Sequence, residues 1–403
     1  MLIRFEGTNS TIDVADDAAF LAALNAAAFD GPYRAVRECE APIATVRANG
    51  GSYEITAPGE EPFTATAVSA ACSVIVDAVK AVIEARPSRL CFHCGSVLLG
   101  GQLVLLAGPF RAGKSTLIAR MAADGHAVFG DDVLPLDEED MHGVAMGVAP
   151  RLRLPLPAGA SRAMREFVTQ WATVQDDRYL YFRPPSLAMR GASAPLGAVV
   201  LLDRRADGSA QLFQATEGAA LRSLVMRNFS RAEPAGKLLD RLHRIAGRLP
   251  RFTLRYSSLE EAADLLCRVF GTGAPQPESY PVADPRSADE GGQADPFALL
   301  DRKLPLRRNP AVRMRTVGSE VVLTDAEGWG IHHLNASGAG LWRLLEQPVT
   351  ACDAVEVMAE AFPAVPRKTL ERDVSSLFAA LYAQGFVIEV DAPADCTRQV
   401  GRP

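Results

Sequence analysis

Residues 105–117, LLAGPFRAGKSTL, begin as an apolar run, break into a loop and resume as a helical pattern. Gly108, Gly113, Lys114 and Ser115 stand in the order G-x-x-x-x-G-K-S. That spacing predicts a loop that grips phosphates, because backbone N–H groups and a helix N-terminus face the anion. The lysine of such a loop reaches the β- and γ-phosphates, and the hydroxyl beside it meets Mg2+. The expected nucleotide cradle is therefore Gly108, Pro109, Phe110, Arg111, Ala112, Gly113, Lys114, Ser115 and Thr116. The alternative, a glycine-rich strand-to-helix turn without a ligand, would not require the Lys–Ser pair.

Working outward, residues 103–107 predict a strand, and Leu117, Ile118 and Met121 share one face of a helix that Gly125 ends. GHAVFGDDVLPLD follows at 125–137. A helix of about ten residues travels about 15 Å from the loop, and a strand of about five residues returns a similar distance. If that strand runs parallel to the first, joined by a right-handed crossover, both end at the same sheet edge. Asp131 and Asp132 then land beside the phosphates, one as a base for an attacking hydroxyl and the other beside Mg2+. The competing reading makes both of them turn or cap residues.

Upstream, CFHCGSVLLGGQLVLLAG, 91–108, predicts a hairpin turning at Gly100–Gly101, a dipeptide suited to a two-residue loop. Leu99 then faces Gln102, and counting back sets His93 opposite Gly108. An ordinary strand histidine is the alternative there.

His93, the G-x-x-x-x-G-K-S loop, Gly125–His126 and Asp131–Asp132 together resemble the catalytic domain of the HPr serine kinase/phosphorylase family. The resemblance is good over 85–205 and weak over 206–270. It implies an α/β P-loop kinase domain that uses ATP and Mg2+ to phosphorylate a serine on a protein. It also implies catalytic roles for His93, Lys114, Asp131 and Asp132, with Asp132 favoured as the base and Ser115 and Asp131 at the metal, and it points to a homo-oligomer. Pro109 and Arg111 depart from the Gly/Ser-rich filling of the family's loop. APRLRLPLP, 149–157, stands where the family carries a Glu-containing signature. HPr itself and the reverse phosphorolysis are therefore not carried over. Arg153, Arg204 and Arg205 are further candidate cations.

The 403 residues are too many for one ordinary domain, given roughly 150 per domain. A net charge of −6 offers no basic field for nucleic acid. No apolar run is long enough to span a membrane, and the N-terminal MLIRFEGTNSTIDV lacks the order of a signal peptide. Seven scattered cysteines fit a reducing cytoplasm. Cys91 and Cys94 form a lone C-x-x-C without a second pair at zinc spacing, so buried thiols are expected.

Residues 1–85 predict short strands, a helix near 18–28 and a buried helix over 67–85, all packing on a kinase core at 86–270. PLGAVVLLDRR, 195–205, predicts a buried strand; 236–249 and 258–270 have helical spacing, the latter with Ser258 and Glu261 as a capping box. The Gly-, Pro- and Asp-rich segment 271–298 predicts a flexible linker. A second domain, 299–395, predicts two or three strands turning at Gly318 and 325–328, then three helices capped by Ser337, Thr350 and Thr369, with Gly385 as a stop.

In that domain LNASGAGLWRLLEQPVT, 334–350, resembles the PqqD family at Asn335, Leu341 and Trp342, with matching length and order over about 310–390. The resemblance implies a small α+β winged-helix fold, a RiPP recognition element, that binds leader segments of ribosomally made, later modified peptides. An extended leader would add to an edge strand, with the strand near 321–324 and the helix 369–384 as candidates; Leu341, Trp342 and Leu345 are expected to be core. A DNA-binding winged helix is disfavoured, since VPRKTLERDVSSL, 365–377, nearly balances its charges. The combined expectation is a kinase for a hydroxyl, serine first, on a precursor peptide, possibly of the lasso type. A small-molecule or conventional protein kinase and a non-catalytic nucleotide-sensing peptide chaperone are the alternatives.

Overall fold

In this computed structural model residues 1–390 are described, apart from 29–32, 39–40, 60, 87, 109–111, 158, 230–233, 284–300, 325–330 and 384. The chain divides into two units: Met1–Glu233 with Arg241–Ala288, and Pro234–Asp240 with Asp289–Pro403. Among the described residues no helix is long and apolar enough to cross a membrane.

The first unit opens with a six-stranded sheet in the order Tyr33–Ala35, Leu2–Phe5, Thr11–Asp13, Ala44–Asn49, Ser52–Thr56 and Phe63–Ala65. Two helices follow from the pattern expected of them. Ala18–Ala27 is capped by Asp17, and Ala67–Glu84 is capped by Thr66 and buries Val68, Ala71, Val74, Ile75 and Ala78.

The larger sheet is built around Ser193–Arg204. Its second half lies parallel to both Gln102–Ala107 and Arg251–Tyr256, with Leu201 opposite Ala107 and Thr253. Val199, Val200 and Leu202 are buried, as a strand covered on both faces requires. Beyond Gln102–Ala107 come Gly95–Leu99 and then Val128–Gly130, each antiparallel to its neighbour. Val128–Gly130 therefore runs in the same direction as Gln102–Ala107, with one strand between them. The first half of Ser193–Arg204 pairs instead with His142–Val144, which continues the sheet to Leu134–Asp137 and Leu90–Phe92.

The hairpin turns at Gly100 and Gly101, both at positive φ, with Leu99 opposite Gln102 and Gly95 opposite Leu106. It ends at Gly95. Leu90–Phe92 has left it for Leu134–Leu136, so counting back to a His93–Gly108 pair overextends the register.

The segment expected to be a linker is packed in its first part. Tyr280 stacks edge-on against Phe252 at 5.5 Å, and Gln214 N–H donates to Pro281 O at 2.8 Å. From 284 to 298 it lies outside the described residues.

In the second unit a three-stranded antiparallel sheet has the order Arg313–Val317, Glu320–Thr324, Ile331–Leu334. Helices Ala336–Leu344, Ala351–Ala361 and Arg367–Ala383 follow, and Leu306–Arg308 pairs with Val387–Glu389. Gly318 makes the tight turn at φ +61°; the expected turn at 325–328 lies outside the described residues. Thr350 forms a capping box with Asp353. Ser337 is not the cap expected of it, because Asn335 takes that place and accepts from Gly338 N–H at 2.9 Å. Thr369 lies inside its helix, which starts directly after Pro366.

Candidate active site

The strand Gln102–Ala107 runs into Gly108, and the helix Lys114–Ala123 starts from Gly113. Both glycines are needed for steric reasons. A Cβ on Gly108 would lie 2.9 Å from the Ala112 Cβ and 3.0 Å from the Leu202 Cβ. Gly113 sits at φ +92°, and a Cβ there would come within 2.5 Å of the Tyr256 hydroxyl. That buried hydroxyl donates to Ala112 O at 2.6 Å, tying the loop to the end of a central strand. Lys114 Nζ folds back to donate to Gly108 O at 3.2 Å. Pro109, Phe110 and Arg111 lie outside the described residues; Ser115 and Thr116 are half-buried on the first helical turn.

Asp131 and Asp132 follow Val128–Gly130 directly. Asp131 is buried, is hydrogen-bonded by Ser115, and accepts from Arg151 N–H at 3.2 Å. Burial, and then the Asp132 charge, push its carboxyl above the ordinary range. Asp132 lies between an imidazole and a guanidinium: His93 Nε2 is 3.7 Å from Oδ1, and Arg151 Nη2 is 4.0 Å from Oδ2.

His93 reaches this position by a route other than the hairpin. Phe92 faces Leu134 in an antiparallel ladder, so the residue after Phe92 meets the residues before Leu134. His93 N–H donates to Arg227 O at 2.6 Å, and Phe229 packs edge-on against the imidazole at 5.7 Å. Burial lowers the pKa of His93; Asp132 opposes the shift, and Lys114, Arg227 and Arg151 reinforce it. Lys114 is likewise lowered by burial and then by Arg227, against the pull of Asp132 and Asp131. His93, Lys114, Asp131 and Asp132 therefore lie within electrostatic reach of one another, and Ser115 touches Asp131.

Two further cations, Arg151 and Arg227, stand at this cluster, and no local pattern in the sequence marks them. Of the arginines expected as further cations, Arg205 pairs with Asp203 at 2.8 Å, and Arg153 lies over the Tyr179 ring at 5.9 Å. Arg151 and Arg153 share a strand face at period two, so the sequence offers no signal to choose between them. Cys91 and Cys94 are free, buried thiols, with burial holding both well above their usual range.

Ser115 and Asp131 supply hard oxygen donors of the kind Mg2+ takes, and that ion commonly completes its shell with water and phosphate oxygens. Among the described residues no group of three or more His, Cys, Asp or Glu forms a self-sufficient metal cage.

In the second unit Glu320–Thr324 is the central strand, paired on both sides. It offers no free edge, which corrects the expectation that a peptide would add there; the outer strands are Arg313–Val317 and Ile331–Leu334. Leu341, Trp342 and Leu345 are buried in the core, as expected. The Arg308 guanidinium covers the Trp342 ring at 4.9 Å while its Nε donates to Trp342 O at 2.8 Å.

Residues 320–387 match the PqqD family, Coenzyme PQQ synthesis protein D (PqqD), and the C-terminal unit therefore carries a PqqD-like domain. Among solved structures, "TbiB1 in Complex with the TbiA(beta) Leader Peptide" is similar at 27% identity, over 20% of this chain and 93% of that chain, with a TM-score of 0.19. No curated protein matches the chain.

Proposed function

We propose that the protein is an ATP- and Mg2+-dependent P-loop kinase for a hydroxyl, serine first, of a ribosomally synthesised precursor peptide, with lasso-type precursors as the first class to try. The observation that carries this reading is the meeting of His93, Asp131 and Asp132 with Lys114 and Ser115 at the mouth of a glycine-framed phosphate loop. Nucleotide binding alone does not call for a carboxylate–imidazole pair beside the loop.

Phosphoryl transfer asks the protein for positioning and for neutralisation of charge. Lys114 and the backbone N–H groups at the start of the helix Lys114–Ala123 would hold the phosphates, and Ser115 and Asp131 are the residues to hold Mg2+, which would neutralise phosphate charge. The acceptor oxygen attacks the γ-phosphorus in line. Its proton passes to Asp132, a new O–P bond forms, the bond from the γ-phosphorus to the β,γ-bridging oxygen breaks, and ADP leaves. His93 orients the Asp132 carboxylate.

The PqqD-like domain supplies the peptide specificity in this reading. A leader adds as an extended strand to an outer strand of its sheet, and the covalent tether raises the local concentration of the acceptor segment. The test incubates the full chain with Mg-ATP and a precursor peptide encoded nearby. The expected outcome is a mass gain of one phosphoryl group on the peptide, lost in Asp132→Asn while nucleotide binding persists. Nucleotide binding by the wild-type chain without any peptide mass gain would sink the proposal.

A further inference from the structure

One arginine touches both acids. The backbone N–H of Arg151 donates to Asp131 Oδ2 at 3.2 Å, while its Nη2 stands 4.0 Å from Asp132 Oδ2. The rest of the side chain is pinned. Nη1 donates to Cys72 Sγ at 2.7 Å, and the guanidinium lies over the Tyr179 ring with its carbon 4.5 Å from the centroid. The backbone is fixed in a strand, with Arg151 opposite Tyr181.

These restraints come from three parts of the first unit. Cys72 is on the helix Ala67–Glu84, Tyr179 is on the strand Tyr179–Phe182, and the twin acids follow Val128–Gly130. Held on a thiol and an aromatic face, the guanidinium has little freedom to follow a moving carboxylate. A planar fork stacked in this way is not reproduced by an ammonium. At 4.0 Å the Arg151–Asp132 contact is an ionic attraction and too long for a hydrogen bond. It draws Oδ2 to one side, and the other oxygen, Oδ1, faces His93.

We infer that Arg151 is a positioning residue that holds the Asp132 carboxylate in the orientation that receives the acceptor proton, and that the helix Ala67–Glu84 serves the site by anchoring Arg151 through Cys72. This rests on the kinase reading above, and it gives the N-terminal region a part in transfer beyond packing.

The experiment measures peptide phosphorylation and Mg-ATP binding for the full-length wild type, Arg151→Lys and Arg151→Ala, and adds guanidinium ion to Arg151→Ala. Misplacing a reacting group by about 1 Å can cost about 100-fold in rate, so kcat should fall about 100-fold in Arg151→Ala with KM for ATP near the wild-type value. Arg151→Lys should recover part of the rate, and free guanidinium should raise the rate of Arg151→Ala but not of the wild type. Cys72→Val should lower kcat in the same sense by a smaller factor, and Cys72→Ser, which keeps an acceptor, should stay near wild type. An Arg151→Ala variant as fast as wild type overturns the inference. So does one that loses Mg-ATP binding in proportion to rate and ignores guanidinium, because that marks a purely structural loss. Absence of transfer by the wild-type chain would overturn the kinase reading as well, which separates the two failures.

Discussion

The first unit and the PqqD-like unit bury different chemistry. In the first, Asp131 and Lys114 are buried with a half-buried histidine and a second carboxylate close by. In the second, the buried residues are apolar, led by Trp342, Phe378 and Phe386, and Thr324 is the one buried polar residue among those described. Withdrawing an ionisable group from water costs several kcal/mol unless partners offset it. Groups of this kind cluster at functional sites and also in structural ion-pair networks. The contrast therefore teaches where function lies in each unit. In the first, the kinase reading places it in side chains whose charges converge. In the second the buried side chains only hold the sheet, and what remains for a partner is backbone and surface.

Lys114→Met presses hardest on the first half of that contrast. The change removes the buried cation at the loop while leaving the glycine framework intact. On the kinase reading, loss of a single preorganised charge of this kind should lower turnover by about 1,000-fold, or about 4 kcal/mol in the barrier. Steady-state phosphorylation of the precursor peptide measures it. A variant within tenfold of wild type would break the comparison, because the converging charges would then have no catalytic role.

Trp342→Ala tests the second half. The indole fills the core of the PqqD-like unit, its Nε1 donates to Met314 Sδ at 3.4 Å, and Arg308 covers its face. Truncating a buried tryptophan costs about 3–5 kcal/mol, a large share of the stability of a small domain. Calorimetry should show the transition of this unit lowered or lost, and fluorescence anisotropy should show weakened leader binding, while Mg-ATP binding by the loop is retained. Equal loss of nucleotide binding would contradict the division of roles.

How much of this was legible in the sequence follows the same line. The loop, its strand and its helix are local, and their order appears within a dozen residues. The long helices and the caps Ser258 and Thr350 were legible for the same reason. The register that points to His93 stops short of it. What brings it to Asp132 is the three-residue ladder of Leu90–Phe92 with Leu134–Leu136, a long-range pairing that no local pattern announces. Arg151 was missed because its partners come from 72, 131, 132 and 179. In the second unit the strands were legible from alternation. Which of them is central was not, since Glu320–Thr324 has the apolar run that suits either an edge or a middle strand.

The smallest expected effect sharpens the comparison most, because it separates framing the loop from charging it. Tyr256 is buried at the end of a parallel central strand, and its hydroxyl is the group that meets Ala112 O and leaves room only for hydrogen on Gly113. Tyr256→Phe keeps the ring and removes one hydrogen bond. Such a bond contributes about 1 kcal/mol, and the stranded carbonyl adds to the loss if water cannot reach it. If the bond holds the loop in the conformation that meets phosphate, ATP affinity should fall about fivefold, with kcat at saturating ATP close to wild type. Isothermal titration with Mg-ATP measures the first, and saturation kinetics the second. A drop in kcat without a change in affinity would place Tyr256 with Arg151 among the residues that act on the acids, and the separation between cradle and charge would fail at that point.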